Sequence, residues 1–429
     1  MAKVPNTNTS GTPHPVYDLG ASAGVYRYSA RPPVASSGLF DVVANPLEYA
    51  GGYFLDPSAS AANPDGAYYA GRTRICLGSA DDRIFSTAHS DGNSGTRWFS
   101  EWRIPAIVNE VATDNWNVGA RLQEYRFIET DFGEMSNPVI DGLYYNMADG
   151  KLILGFHDDY DSAGSYQWSH AHYANGNDLA NSARTGPYNI YPSNPAHFAG
   201  QIIDLPVDWQ GVFGGTHAVH NGIKMSIASR SSIGMNLAII DAANPDAGVK
   251  SVLMDFPHGN NWATSIANLG GSGEPYTDLL IWNFLADVAG AFVIPGTDTL
   301  CYIGTNLDTR VANNRTVYKD IAENSSGQFV WRDGFNPYIF QGMQPYIWLF
   351  DLNDLARTIT DPVNYPPHIH QPYYHGFIDI PGVDKRDGFQ PRGAFLHRTT
   401  KQIHIAIERG GDSSSPGFRV MNIPGVSNT

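Results

Sequence analysis

Charged side chains make up only 16% of the 429 residues, whereas Gly (44), Pro (28), Tyr (23) and Trp (9) are plentiful. That mix is poor in helix-forming sequence, and the 42% apolar content excludes an intrinsically disordered chain. A formal charge of −15 repels phosphate backbones and anionic bilayer surfaces, which argues against nucleic-acid and membrane partners.

Residues 1–37 open with Met1-Ala-Lys-Val-Pro-Asn-Thr-Asn-Thr-Ser-Gly-Thr-Pro13, a polar stretch without an apolar signal-peptide core. They read as an extended arm, ending near Pro32-Pro33, that docks onto other subunits of a large assembly. Residues 38–429 read as a single all-β unit. No run within them is long and apolar enough to span a bilayer as a helix.

Five segments share one phrase, a Gly-led apolar strand, a turn, a second apolar strand and a polar residue. They begin roughly 70 to 100 residues apart, as repeated supersecondary units do. The first joins Gly51-Gly-Tyr-Phe-Leu-Asp-Pro57 to Arg83-Ile-Phe-Ser-Thr-Ala-His89 across an insertion. The second runs from Asp141 to His157, the third from Gly215 to Arg230, the fourth from Gly290 to Asn306 and the fifth from Gly393 to Glu408. Asp149-Gly150, Asn221-Gly222 and Pro295-Gly296 supply the turn signals of hairpins. Trp102-Arg-Ile-Pro105, Ile202-Ile-Asp-Leu-Pro206, Leu237-Ala-Ile-Ile-Asp241, Trp348-Leu-Phe-Asp-Leu352 and Val420-Met-Asn-Ile-Pro424 read as third strands. Asn353–Thr358 reads as one helical turn. Antiparallel sheets repeated around an axis solve the exposed-edge problem of β-proteins. The expectation is therefore a five-bladed β-propeller, or six or seven blades if the inserts conceal a degenerate one. A β-sandwich is the competing fold, but it would not need the same hairpin phrase five times.

Superposing the five phrases puts His89, His157, Arg230, Asn306 and Glu408 at equivalent positions. In a propeller these lie on a ring, and such a ring binds ligands in a central funnel. The alternative is that they cap strand ends and bond neighbouring blades. Asp158, beside His157, joins the candidate ligand-binding set. Asp158, Asp159 and Asp161 form the candidate metal site, for Ca²⁺, although their spacing does not match a twelve-position calcium loop. The competing reading is a solvated acidic loop. His170/His172 and His368/His370, the latter with His375 nearby, place two imidazoles on one strand face and lack further ligands in sequence. Cys76 and Cys301 sit in apolar runs and read as buried free thiols. Aromatic residues are interleaved with polar ones in Tyr166–His170, His258–Trp262 and Trp331–Tyr338. That pairing suits sugars, whose C–H faces stack on rings while their hydroxyls need polar partners; packing between blades would use the same rings.

Asn45-Pro-Leu-Glu-Tyr-Ala-Gly-Gly-Tyr53, Ser86-Thr-Ala-His89, the Gly214–Gly234 segment and Tyr346-Ile-Trp-Leu-Phe-Asp-Leu-Asn-Asp-Leu355 resemble a group of uncharacterised propeller-like proteins of bacterial and viral origin. The likeness spans most of residues 38–425 and implies the fold but no catalytic residues. The first nine residues resemble the N-termini of phage structural proteins.

These readings converge on a virion-associated or extracellular propeller, homo-oligomeric within its assembly, that recognises a surface glycan. The enzymatic alternative is polysaccharide degradation. A lyase, with His89, His157 and Arg230 as base and charge stabilisers, suits the residues better than a glycoside hydrolase, which needs two carboxylates. No nucleophile elbow, P-loop, dinucleotide fingerprint or Cys-x-x-Cys motif occurs, so no reaction is established by sequence.

Overall fold

The computed structural model describes residues 38–56, 74–88, 98–126, 138–158, 169–191, 200–220, 235–255, 287–307, 321–323, 329–331, 343–367, 370, 372–383, 390–408 and 417–426. The first strand, β1 (Glu48–Leu55), comes early in sequence but lies in the last blade. Blade 1 holds β2 (Ile75–Leu77), β3 (Arg83–Ala88), β4 (Trp98–Arg103) and β6 (Arg121–Arg126), while β5 (Val118–Gly119) pairs parallel with β1. Blade 2 holds β7 (Pro138–Asn146), β8 (Lys151–Asp158), β9 (His170–Tyr173) and β10 (Arg184–Tyr188). Blade 3 holds β11 (Gln201–Asp204), β12 (His217–His220), β13 (Asn236–Ile240) and β14 (Ser251–Asp255), with helix α1 (Val207–Phe213) between its first two strands.

Blade 4 holds β15 (Asp287–Val293), β16 (Thr299–Leu307), β19 (Met343–Asp351) and β20 (Tyr374–Phe377). A small hairpin of β17 (Ile321–Glu323) and β18 (Phe329–Trp331) is inserted, and helix α2 (Leu352–Thr360) follows β19. Blade 5 holds β21 (Gln390–Leu396), β22 (Ile403–Glu408) and β23 (Gly417–Asn422), completed by β1. The inner strands touch in the cyclic order β2, β7, β11, β15, β21 and back to β2. The chain is a five-bladed β-propeller, as the repeat predicts.

Blade packing explains why these strands read as unbroken apolar runs rather than alternating ones. A blade is covered on both faces, so both sets of side chains are buried. In blade 2, Leu143, Leu152 and Leu154 pack against Phe85 and Phe99 of blade 1, while Tyr144 and Ile153 turn to Ile202, Val219 and Ile240 of blade 3. Leu237 and Ile239 of blade 3 meet Tyr302 and Trp348 of blade 4. Cys301 and Ile303 of blade 4 meet Ile403 and Ile405 of blade 5. Phe395, Phe418 and Val420 of blade 5 meet Ile84 and Trp102 of blade 1. Cys76 and Cys301 are buried free thiols, and burial pushes both up from the usual thiol range.

Ring closure joins the two ends of the described chain. β1 pairs antiparallel with β23, from Glu48↔Asn422 to Phe54↔Gly417. Tyr53 stacks on Phe418 with ring centroids 4.7 Å apart and places its hydroxyl 3.0 Å from His404 Nδ1. The segment before β1 also crosses to blade 4, where Phe40 N donates to Thr299 Oγ1 at 2.9 Å and the Tyr373 hydroxyl donates to Phe40 O at 2.9 Å.

Two of the five phrases pair differently from the expectation. Gly51–Leu55 is not the hairpin partner of Arg83–Ala88; it is the closing strand of blade 5, and β3 pairs instead with β2. In blade 3, β12 pairs with β11, so Ile202–Asp204 belongs to an inner strand rather than a third one. Both differences come from long-range pairing, which strand-by-strand reading cannot see. The helical turn expected at Asn353 extends over Leu352–Thr360, capped by Asp351, whose carboxylate accepts from Asn353 N at 2.9 Å. The arm of residues 1–37 lies outside the described residues.

Candidate functional site

Three inner strands carry a β-bulge at the same place: between Ile140 and Gly142 in β7, Val288 and Gly290 in β15, and Pro391 and Gly393 in β21. A bulge re-aims the extra residue, and these bulges bring the strand starts together at the axis. The glycines are required by close approach. A Cβ on Gly142 would stand 2.0 Å from Gly200 O, and one on Gly290 would stand 2.0 Å from Ala394 O.

Arg74, immediately before β2, spans the space so formed. Its Nε and Nη2 donate to Asp141 Oδ1 at 2.9 and 2.7 Å, and its Nη1 donates to Val288 O at 3.0 Å and Arg392 O at 3.1 Å. One buried guanidinium thus ties blade 1 to blades 2, 4 and 5. A planar fork of fixed donors suits several partners in one plane, and the carboxylate balances a charge that would otherwise be costly to bury. His157 Nδ1 lies 3.7 Å from Asp141 Oδ2. One layer below, Gln201 Nε2 donates to Ile75 O at 2.8 Å, linking blade 3 to blade 1.

His157 is therefore the expected ring residue that the structure brings to this cluster. Register identifies its counterparts. Gly142, Gly290 and Gly393 pair with Gly155, Ile303 and Ala406, and two residues beyond those partners stand His157, Thr305 and Glu408. Asn306 is one residue further along β16, so it projects to the opposite face from Thr305; it is buried. Asp158 and Glu408 end β8 and β22, and their side chains fall outside what is described. His89, Arg230, Asp159 and Asp161 also lie outside the described residues, as does His368. Arg74, just before β2, and Asp141, at the bulge of β7, escape sequence reading because their pairing arises only when the inner strands of different blades meet.

His170, His172, His370 and His375 are committed to local partners. His170 Nδ1 lies 2.9 Å from Ser169 Oγ, and His172 stacks on Tyr188 with Nδ1 3.2 Å from its hydroxyl. His370 lies between Thr358 Oγ1 at 2.5 Å and Asp354 Oδ2 at 3.1 Å. His375 Nδ1 is 2.5 Å from the Tyr346 hydroxyl. Among the described residues, no group of three or more His, Cys, Asp or Glu side chains stands ready to hold a metal. Burial lowers His170, His220 and His404 to about 3, which keeps them neutral near neutral pH.

At the opposite ends of the inner strands the axis widens into a cavity of about 730 Å³. It opens between the β11–β12 connection, the β15–β16 turn and the β21–β22 turn, and its floor reaches Cys76, Gln201 and Ala291. On its wall, Tyr144 donates to Asp204 Oδ1 at 2.5 Å, and His217 Nε2 lies 2.7 Å from the tyrosine oxygen. His217 Nδ1 lies 2.6 Å from Thr216 Oγ1 and 3.4 Å from Ala242 N. Partial desolvation at the cavity rim pushes the Asp204 carboxyl up, but hydrogen bonds from His217 and Tyr144 outweigh it and hold the group below its ordinary value. Desolvation and the Asp204 charge push the Tyr144 phenol up. Asp204 and His217 face each other across β11 and β12, whereas Tyr144 comes from blade 2. No spacing in the sequence announces that trio.

No family model and no curated protein sequence matches the chain. In structure it is similar to the tail fiber of Staphylococcus aureus phage P68, with 10% identity, a TM-score of 0.38 and coverage of 91% of this chain and 55% of that one. It is also similar to an exo-beta-1,3-galactanase from Phanerochaete chrysosporium, with 9% identity, a TM-score of 0.41 and coverage of 86% and 64%. A third similar structure is the catalytic domain of the Coprinopsis cinerea GH62 alpha-L-arabinofuranosidase, with 10% identity, a TM-score of 0.37 and coverage of 87% and 96%. The chain thus spans less than two thirds of the first two proteins' length. Among the described residues, no helix is long and apolar enough to cross a membrane.

Proposed function

We propose that this propeller is a virion-associated or extracellular binding protein that recognises a surface glycan with the end of its axis where Arg74, Asp141 and His157 meet. The observation that carries this reading is the cross-axis set of bonds from Arg74 to Asp141, Val288 and Arg392. Through it, polar strand ends of four blades share one space. The connections from β8 to β9 and from β14 to β15 start and finish at this end, and their sequences hold Tyr166-Gln-Trp168 and His258-Gly-Asn-Asn-Trp262. Such interleaved rings and amides suit sugar faces and hydroxyls. Residues 1–37 attach the propeller to other subunits in this reading, and many copies acting together raise a modest single-site affinity.

Binding is favoured over catalysis because Asp141 and His157 are both buried beside Arg74. That arrangement holds a geometry rather than exposing a base to a polymer. The test is to apply labelled full-length protein to arrayed surface polysaccharides. Retention on a defined set, abolished in His89→Ala and Arg230→Ala variants whose melting temperature is unchanged, is expected. Retention on no polysaccharide overturns the proposal, and release of unsaturated sugars from uronate polymers replaces it with the lyase reading. Deleting residues 1–30 is expected to prevent assembly while leaving the fold intact.

A further inference from the structure

The axial cavity at the far end from Arg74 is built as a small-molecule site. Its volume of about 730 Å³ is that of pockets that enclose a small ligand. Trp209, Phe292, Phe395 and Tyr144 supply much of the wall, and Trp209 is braced against Phe213 with ring centroids 5.1 Å apart.

The charges in this wall are unequal in what they have left to offer. Lys401 Nζ donates to the Arg398 carbonyl oxygen. Arg398 Nε lies 3.8 Å from Asp81 Oδ1, and its Nη1 is buried without a hydrogen-bond partner among the described residues. Asp298 accepts from Trp209 Nε1 and from Asn353 Nδ2, both at 3.3 Å. Asp204 differs. Tyr144 and His217 gather at Oδ1, the side chain keeps 80% of its surface open, the residue lines the cavity, and Oδ2 has no hydrogen bond among the described residues. Asp208 adds a second exposed carboxylate at the rim. Two exposed carboxylates, Asp204 and Asp208, thus stand against flat aromatic walls.

We propose that this cavity binds an organic ammonium ion with an apolar body, its charged head on Asp204 Oδ2 and its body against Trp209 and Phe395. The low carboxyl pKa of Asp204 keeps the counter-charge in place, and the indole face adds cation–π attraction. The site lies at the other end of the axis from the proposed glycan face, so either can fail alone.

The test is calorimetric titration of the full chain with phenethylamine, N-acetylphenethylamine and phenylacetate. Saturable binding of phenethylamine alone is expected, weakened at least about tenfold in Asp204→Asn, a loss near 1.4 kcal/mol. Val212→Trp, an exposed position on α1 at the cavity mouth, is expected to block binding with the melting temperature retained. Absence of saturable binding, equal binding of the neutral amide, or full binding by Asp204→Asn overturns the proposal. If Asp204→Asn does not fold, Val212→Trp decides: undiminished binding there has the same consequence.

Discussion

Arg74 and Asp141 form a buried ion pair at the propeller axis, with Nη2 2.7 Å from Oδ1, although they belong to the inner edges of different blades, Arg74 just before β2 and Asp141 at the bulge of β7. The same guanidinium holds carbonyls of two further blades. The pair is therefore a hub for the ring as well as a local contact.

Removing one member of a buried pair strands the other charge, which typically costs about 3–5 kcal/mol. Arg74→Met is expected to lower stability by that order in urea unfolding. Asp141→Leu added to it is expected to recover part of the loss, because the uncompensated carboxylate goes with it. A single variant within about 0.5 kcal/mol of the parent, the scale of an ordinary surface change, would show that the ring does not depend on this hub.

The bulge glycines set the approach of neighbouring blades. Gly142→Ala places its methyl group 2.0 Å from Gly200 O, and Gly290→Ala does the same at Ala394 O. Backbone rather than a flexible side chain is in the way, so blades must separate. Each variant is expected to lose about 1–3 kcal/mol or more, read as a lower melting temperature. Gly211→Ala, with nothing within 4 Å of the new carbon, serves as the tolerated control.

Three histidines are expected to make the fold acid-sensitive. His170, His220 and His404 are held near 3 by burial, with the nearby Arg74 charge adding at His220. Unfolded, each titrates near 6.5, so the unfolded chain takes up protons first as pH falls. The stabilisation from these neutral rings is complete above about pH 6.5 and declines towards pH 3 by about 1.4 kcal/mol per pH unit per histidine. Neither His220 nitrogen has a hydrogen-bond partner among the described residues, and its ring meets Tyr302 edge-on at 5.4 Å. His220→Phe is expected to fold and to show a shallower fall of melting temperature with acid. An unchanged slope would mean that the imidazole is solvated in the native state.

The closure of blade 5 rests on β1. Tyr53 is fully buried, stacked on Phe418 and linked to His404. Tyr53→Ala is expected to cost about 3–5 kcal/mol through the cavity it leaves. Limited proteolysis is expected to cut first within blade 5. Cleavage beginning in another blade would show that the closing strand is not the weak point of the ring.

What sequence alone determined here was local. Apolar runs divided by Asp149-Gly150 and Pro295-Gly296 identify β7–β8 and β15–β16 as hairpins, because hairpin pairing depends on nearby residues and on turn geometry. Their recurrence implies a ring, since a blade with two apolar faces needs a neighbour on each side. Only tertiary structure could assign Gly51–Leu55 to the last blade or pair β11 with β12 across α1, because backbone hydrogen bonds carry no sequence label. His157 was legible as a strand-end polar residue. Arg74 with Asp141, and Tyr144 with Asp204 and His217, were not. Their meaning arises from bulges and blade spacing that bring residues distant in sequence within 3 Å, and no pattern along one strand encodes that distance.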